Sequence, residues 1–248
     1  MSEVNTSSPE DPTVVHVDNS FERIIGIFTS PTKTFESIAR KPDWFIPLIV
    51  MLLFAAATGF IASDRIDFEG TMREQLEGNR MTEEQREKAI EMGGGMQKAG
   101  PYLGVLFTPI ILLIIAGLIM LGHKIMGGAG DFGAYFSVAV YGWFPQFIKG
   151  LLVTIILLAG EPKTINEMMV AAYSNPGFLA DPSTNPVLFA FLTKLDVFTI
   201  WSLILMTIGY SIVSRGSRMR SAVIVVGLWA VYVAISLVGP LMQAGQKD

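Results

Sequence analysis

Long runs of apolar residues recur along the chain and are separated by shorter polar segments. A helix needs about 20 apolar residues to cross the roughly 30 Å hydrocarbon core of a bilayer. Five windows reach this length, so the pattern predicts transmembrane helices over residues 44–63, 101–124, 132–160, 186–214 and 219–243. The predicted fold is therefore an all-α polytopic membrane protein, a bundle of five transmembrane helices within a membrane domain over residues 44–246.

Two segments precede the first span. Residues 1–20 are acidic, polar and aperiodic, which predicts a disordered tail. Residues 21–43 carry apolar positions at helical spacing beside basic ones, which predicts an N-terminal amphipathic helix on the cytoplasmic side. This segment either packs on the bundle as an ordinary helix before the span or offers a docking surface to a partner or to anionic lipid.

A densely charged segment, residues 64–98, separates the first two spans and predicts an extracytoplasmic helical hairpin. The spacing of Thr82 and Gln85 predicts a capping box at a helix start, and the three glycines at 93–95 predict the end of that helix. We expect no metal site here, because the acidic residues lack the alternating oxygen ligands of a compact calcium loop. Those residues are Glu83, Glu84, Glu87 and Glu91.

Composition supports a membrane protein and excludes several other classes. Hydrophobic residues make up 51% of the chain, whereas charged residues make up 16%, against roughly 25% in ordinary globular proteins. The absence of cysteine excludes thiolate metal sites and a cysteine nucleophile. A net charge of −4 gives no basic footprint for nucleic acid, so the lipid bilayer is the partner that the composition implies.

Basic residues set the expected orientation. Five spans place the termini on opposite faces, and both faces then receive equal numbers of Lys and Arg. The densest basic cluster is the turn before the fifth span, with Arg215, Arg218 and Arg220, and the positive-inside rule favours a cytoplasmic position for it. Because the N-terminus lacks signal-peptide features, we expect a multi-pass protein of the plasma (inner) membrane with a cytoplasmic N-terminus and an extracytoplasmic C-terminus.

Lys149, Lys194 and Asp196 interrupt the apolar windows. A charge at mid-bilayer costs about 2.5–3.5 kcal/mol and normally needs a partner inside the protein. Measured from the outer ends of their spans, Lys149 and Asp196 lie about 16 Å and about 13 Å deep, whereas Lys194 can reach outward along its own stem. Lys194 and Asp196 are two residues apart on one predicted helix and cannot face each other. The pattern predicts a Lys149–Asp196 ion pair, either a static structural contact or part of a proton or ion relay.

Prolines and small residues within the spans suggest points of bending and of close packing. Pro109 and Pro145 predict helix kinks, each either a packing kink or a hinge. Small residues at helical spacing favour close helix approach, within the chain or in a homo-oligomer. They are Ala55, Gly59, Ser63, Ala230 and Ala234.

Catalytic signatures are missing from the sequence. We find no Gly-x-Ser-x-Gly elbow, no His-Glu-x-x-His and no phosphate-binding Gly-x-x-x-x-Gly-Lys. His16 and His123 are the only histidines and cannot form a metal cluster within the membrane. We therefore expect a protein that is not an enzyme, with no catalytic residues, no cofactor and no metal.

Several stretches resemble the Yip domain family (Ypt/Rab-interacting membrane proteins), most closely its bacterial branch. They are residues 30–35 and 41–44, 141–145, and 195–201 followed by Gly209 and the arginine turn. The resemblance implies five spans, a cytoplasmic N-terminus and no established catalytic site. Eukaryotic members bind small GTPases in vesicle traffic, but their Asp-Leu-Tyr-Gly-Pro signature is missing here, so GTPase binding is not expected.

Together these observations favour a non-enzymatic integral membrane protein that organises or assists partner membrane proteins or membrane transport. The sequence does not identify those membrane-protein partners. The alternative is a small transporter or channel that uses the Lys149/Asp196 pair. An odd number of spans gives no simple inverted repeat within one chain, which weighs against that alternative.

Overall fold

The structure is a computed structural model that describes residues 19–76, 82–160 and 163–245. The predicted tail, residues 1–20, lies outside these residues except for Asn19 and Ser20. The described chain is helical, and its β-type pairing is a single bridge between Ile66 and Lys163. Its helices are α1 Ser20–Thr29, α2 Pro31–Arg40, α3 Phe45–Arg65, α4 Phe68–Leu76, α5 Glu83–Ile125, α6 Phe132–Gly142, α7 Phe144–Ala159, α8 Ile165–Val170, α9 Pro186–Leu192, α10 Val197–Val213, α11 Arg218–Ser236 and α12 Val238–Ala244, with a 3₁₀ turn at Pro176–Leu179.

The apolar windows fold into helices of membrane-spanning length, and the all-α polytopic fold is confirmed. Four helical segments within the described residues are long and apolar enough to cross a bilayer. A fifth span results if α9 and α10, which meet at a bend of 48°, are counted together. The four segments are Phe45–Arg65, Tyr102–Ile125, Phe132–Ala159 and Arg218–Met242.

The break between α9 and α10 corrects the prediction of one continuous helix over 186–214. Asp196 has an extended backbone and caps α10, since its side chain accepts hydrogen bonds from the backbone N–H groups of Phe198 and Thr199. Aspartate is among the residues that helix N-termini prefer. Lys194 and Asp196 therefore do not share a helix, and the argument that placed them on one was wrong.

The helix that begins at Thr82 also differs from its prediction. The capping box between Thr82 and Gln85 is confirmed, but α5 does not end at the glycines of residues 93–95. It is 43 residues long and ends at Ile125. Glycine lowers helix propensity by about 1 kcal/mol per residue without forbidding helical dihedral angles. The capping box fixes one end of α5 and its long apolar half continues to Ile125, so the glycines do not end the helix.

The N-terminal segment forms two helices that pack on the bundle. Ile27 of α1 and Phe35 and Ile38 of α2 are fully buried, and α2 contacts both α6 and α10. Gly209 of α10 allows this approach, because a Cβ there would lie 2.9 Å from Phe35 Cδ1. The burial of these side chains fits the first of the two interpretations of residues 21–43, in which the segment packs on the bundle.

Candidate functional site

Lys149 of α7 and Asp196 lie in contact between two spans. Lys149 Nζ is 2.8 Å from Asp196 Oδ2. The Asp196 side chain is 1% exposed, whereas that of Lys149 is 25% exposed. The carboxylate is therefore enclosed by protein, and the ammonium group remains partly accessible.

The two carboxylate oxygens of Asp196 have different partners. Oδ1 accepts the backbone N–H groups of Phe198 and Thr199, at 3.0 and 3.2 Å, and so caps α10. Oδ2 receives Lys149 and the hydroxyl of Ser174, with the Asn175 amide at 3.5 Å. One side chain thus begins α10 and joins it to α7.

The connection between α8 and α9 reaches this carboxylate, which the sequence did not reveal. Ser174 and Asn175 are both buried. The backbone N–H of Val197 donates to Ser174 O at 2.9 Å, and the Asn175 amide donates to Met169 O at 2.9 Å. Asn175 Oδ1 also accepts the N–H of Gly177 at 3.0 Å. The Asn-Pro-Gly sequence at 175–177 signals a turn, but nothing in it indicates what the turn contacts.

A second contact joins the same two helices near the ion pair. Gln146 lies one helical turn before Lys149, and its Nε2 donates to Thr199 Oγ1 at 3.2 Å. Polar contacts between helices are favourable in hydrocarbon, where exposed polar groups find no water. Gln146–Thr199 and Lys149–Asp196 therefore hold α7 and α10 in one register.

A groove of about 340 Å³ lies between α3 and α7, beside the ion pair. Small residues from both helices line it, including Ala55, Gly59 and Gly150, together with Lys149 and Gln146. The rings of Phe54 and Phe147 stack at 4.2 Å between the same helices. Two of the residues that the sequence marked for close helix approach, Ala55 and Gly59, thus line an open groove.

The arginine turn contacts other parts of the chain at one end of the bundle. Arg220 donates to Met126 O at 3.0 Å, and Arg218 Nη2 lies 3.4 Å from Thr32 Oγ1 of α2. The N–H of Ala129 donates to Ser214 O at 2.9 Å. The turn, the connection after α5 and the N-terminal helices therefore lie together at one end of the bundle, where the prediction of five spans also places them.

The two prolines lie in different local structures. Pro109 falls within the uninterrupted helix α5. Pro145 lies at the start of α7, two residues after Trp143, where α6 and α7 are separated. A kink at each proline stays a prediction.

A buried cluster around Arg23 was not foreseen in the sequence. Arg23 is 1% exposed, and its guanidinium donates to Asp43 Oδ2 at 3.1 Å, to Lys41 O at 2.9 Å and to Ser37 Oγ at 2.9 Å. The Tyr141 hydroxyl of α6 donates to the same Asp43 oxygen at 3.2 Å. Asp43 thereby ties the N-terminal helices to the bundle.

His123 forms another unexpected contact between spans. The imidazole is fully buried, with Nδ1 2.9 Å from Ile119 O and Nε2 2.9 Å from Ser221 Oγ. A carbonyl oxygen only accepts, so Nδ1 carries a proton and joins its own helix turn, while Nε2 reaches α11. Within the described residues no group of three or more His, Asp or Glu side chains is arranged to hold a metal ion.

Comparison with known proteins decides the family. The sequence matches the Yip1 domain over residues 25–239, which is most of its length. The chain belongs to the Yip1 domain family. This confirms the resemblance seen in the sequence, and the Yip1 match covers both members of the ion pair and the arginine turn.

A relative of this Yip1 domain protein is the membrane protein YknW of Bacillus subtilis (strain 168). It is 24% identical over 213 residues, which cover 84% of this chain and 87% of YknW. No solved structure is significantly similar to the chain. The family, the relative and the apolar helices together show a multi-pass membrane protein.

Proposed function

We propose that this Yip1 domain protein organises or assists partner membrane proteins and catalyses no reaction itself. The observation that carries the proposal is the groove between α3 and α7. Helices in hydrocarbon associate through close packing of small residues and through interhelical hydrogen bonds. The groove combines small residues with four polar side chains, those of Thr58, Gln146, Lys149 and Thr154, and this lining suits a transmembrane helix of another protein.

Lys149 gives the groove its chemical preference. An ammonium group has three N–H donors, and Asp196 Oδ2 is its ion-pair partner in the described chain. With 25% of its side chain exposed, Lys149 has donors left for an acceptor in the groove. A partner helix with a carboxyl, amide or hydroxyl oxygen at this depth fits best.

Photo-crosslinking in native membranes tests this proposal. In the test variant, a photoreactive residue replaces Val153, which lines the groove. In the matched control, it replaces Val226 on the exposed side of α11. We expect a discrete protein adduct from Val153 alone, and we expect Ala55→Leu, which fills the groove, to remove it. The same adduct from both positions, or one that survives Ala55→Leu, contradicts the proposal.

A small transporter or channel is the second candidate, since it also uses an intramembrane ion pair. Among the described residues, the groups that contact Asp196, apart from Lys149, are the hydroxyl of Ser174, the amide of Asn175 and backbone N–H groups. A relay needs further titratable groups with access to water, and none of these groups titrates near neutral pH. Flux in reconstituted liposomes that Asp196→Asn abolishes would favour the transporter over the proposed role.

The proposed orientation places the N-terminus and the arginine turn in the cytoplasm of a cell with this protein in its plasma membrane. The absence of cysteine allows single-cysteine labelling with a membrane-impermeant reagent. In intact cells we expect Glu84→Cys, on the charged hairpin, to be labelled and Arg215→Cys to be labelled only after lysis. Labelling of both in intact cells contradicts the proposed topology.

A further inference from the structure

A larger groove, of about 460 Å³, lies where α8, α9 and α12 meet. Apolar side chains form much of its wall, among them Met169, Phe189 and Pro240. Lys194 and the polar residues Asn166, Ser183 and Thr193 also line it. It is a different site from the groove beside Lys149 and has no residue in common with it.

Lys194 is the cation of this groove. Its Nζ lies 3.4 Å from the hydroxyl of Tyr232 and 5.4 Å from the centre of that ring. Among the residues that the structure describes, no carboxylate lies within ion-pair distance of this ammonium. The charge of Lys194 is thus held beside an aromatic ring, with no acidic partner among the described residues.

The depth of the groove matches the edge of the hydrocarbon layer. Tyr232 lies about 21 Å along α11 from Arg218, in a hydrocarbon core of about 30 Å. The groove continues past it to Gly239 and Pro240. With Arg218 at the cytoplasmic end, as proposed above, the cation lies in the outer part of the hydrocarbon core, and the rest of the groove lies nearer the headgroup region.

We propose that this groove binds the headgroup of an anionic phospholipid, with the phosphate on Lys194, the rest of the headgroup in the groove, and the acyl chains running from Lys194 toward the bilayer centre along the lipid-exposed faces of the spans. The cation of the groove accounts for the preference for a negative net charge. The position of Lys194 beside the apolar spans accounts for a lipid rather than a dissolved anion, because acyl chains that leave the groove along the spans bury apolar surface that a water-soluble ion lacks.

Lipid binding to the purified full-length protein in mild detergent tests this inference. Native mass spectrometry and thermal unfolding are followed with phosphatidylglycerol or phosphatidylcholine added at equal concentration. We expect phosphatidylglycerol to bind more tightly and to raise the midpoint further. Lys194→Gln is expected to weaken phosphatidylglycerol binding about fivefold, the effect of one basic residue near an anionic lipid surface.

Two variants and one soluble ligand complete the test. Lys194→Arg keeps the charge and should retain the preference, and Lys124→Gln, at an exposed lysine near the other end of the bundle, should leave it unchanged. Equal binding of both lipids, or a Lys194→Gln variant that still prefers phosphatidylglycerol, overturns the proposal. A Lys194-dependent shift with glycerol 3-phosphate alone would show a site for soluble anions and would overturn it as well.

Discussion

Lys149 Nζ and Asp196 Oδ2 are 2.8 Å apart, and this aspartate lies at the break between α9 and α10. The bend of 48° between α9 and α10 brings Asp196 to a helix start, where its second oxygen caps α10. A carboxylate in the interior of a straight helix finds the backbone N–H groups around it already bonded. At the break, the backbone N–H groups of Phe198 and Thr199 are free to donate to the carboxylate, and Lys149 of α7 supplies the opposite charge.

The buried turn after α8 is expected to stabilise the site. Asn175→Ala removes the hydrogen bonds to Met169 O and from Gly177 N and leaves buried backbone groups without their partner. A loss of about 1–3 kcal/mol in the free energy of unfolding follows. Chemical or thermal unfolding in detergent measures it. Thr184→Ala, at an exposed position in the same connection, is the control and should change stability by less than about 0.5 kcal/mol. Equal effects of the two substitutions would show that Asn175 does not anchor the turn.

Two glycines in neighbouring spans should respond oppositely to alanine. At Gly209 a Cβ would lie 2.6 Å from Val138 Cγ1 and 2.9 Å from Phe35 Cδ1, so Gly209→Ala forces α2 or α6 to shift and costs about 1–3 kcal/mol. At Gly227 a Cβ meets nothing within 4 Å, so Gly227→Ala is expected to be neutral or to stabilise by up to about 1 kcal/mol. Unfolding midpoints of the two variants provide the comparison. A destabilised Gly227→Ala beside an unaffected Gly209→Ala contradicts the packing described for α10.

The Asp43 cluster is expected to hold α1 and α2 on the bundle. Asp43→Ala leaves the buried Arg23 guanidinium without its carboxylate, an interaction worth about 1.5–3 kcal/mol. The helices should then open more often, and a reporter Thr34→Cys, at a fully buried position, should react with a thiol reagent at least about tenfold faster.

The matched reporter is Glu36→Cys, on the exposed face of the same helix. Its labelling rate should be the same with and without Asp43→Ala. Protection of Thr34→Cys that persists in the Asp43→Ala background would show that apolar packing alone holds these helices.

Local signals in the sequence predicted much of the fold. The apolar windows predicted the helices of membrane-spanning length, and the capping box at Thr82 is confirmed with both reciprocal hydrogen bonds. Depth along the helices also singled out Lys149 as the residue level with Asp196. The first two signals depend on residues within one segment, and the third depends on the rise per residue of a helix. All of them follow from the spacing of residues in the sequence.

Contacts between distant segments could not be predicted in this way. Ser174 reaches Asp196, and Tyr141 reaches Asp43 from 98 residues away. The break before Asp196 had a local signal, because aspartate favours a helix N-terminus. The prediction gave more weight to the hydropathy of the surrounding window than to this aspartate, and so it treated residues 186–214 as one continuous helix.

A double-mutant cycle on Lys149 and Asp196 tests the central claim, that their contact joins α7 to α10. Lys149→Met and Asp196→Asn are measured singly and together as free energies of unfolding in detergent. We expect each single change to cost about 3–5 kcal/mol, because one buried charge loses its partner. The double variant should be more stable than the sum of the two losses predicts, with a coupling of about 0.5–3 kcal/mol. Effects that add to within about 0.5 kcal/mol would contradict the claim.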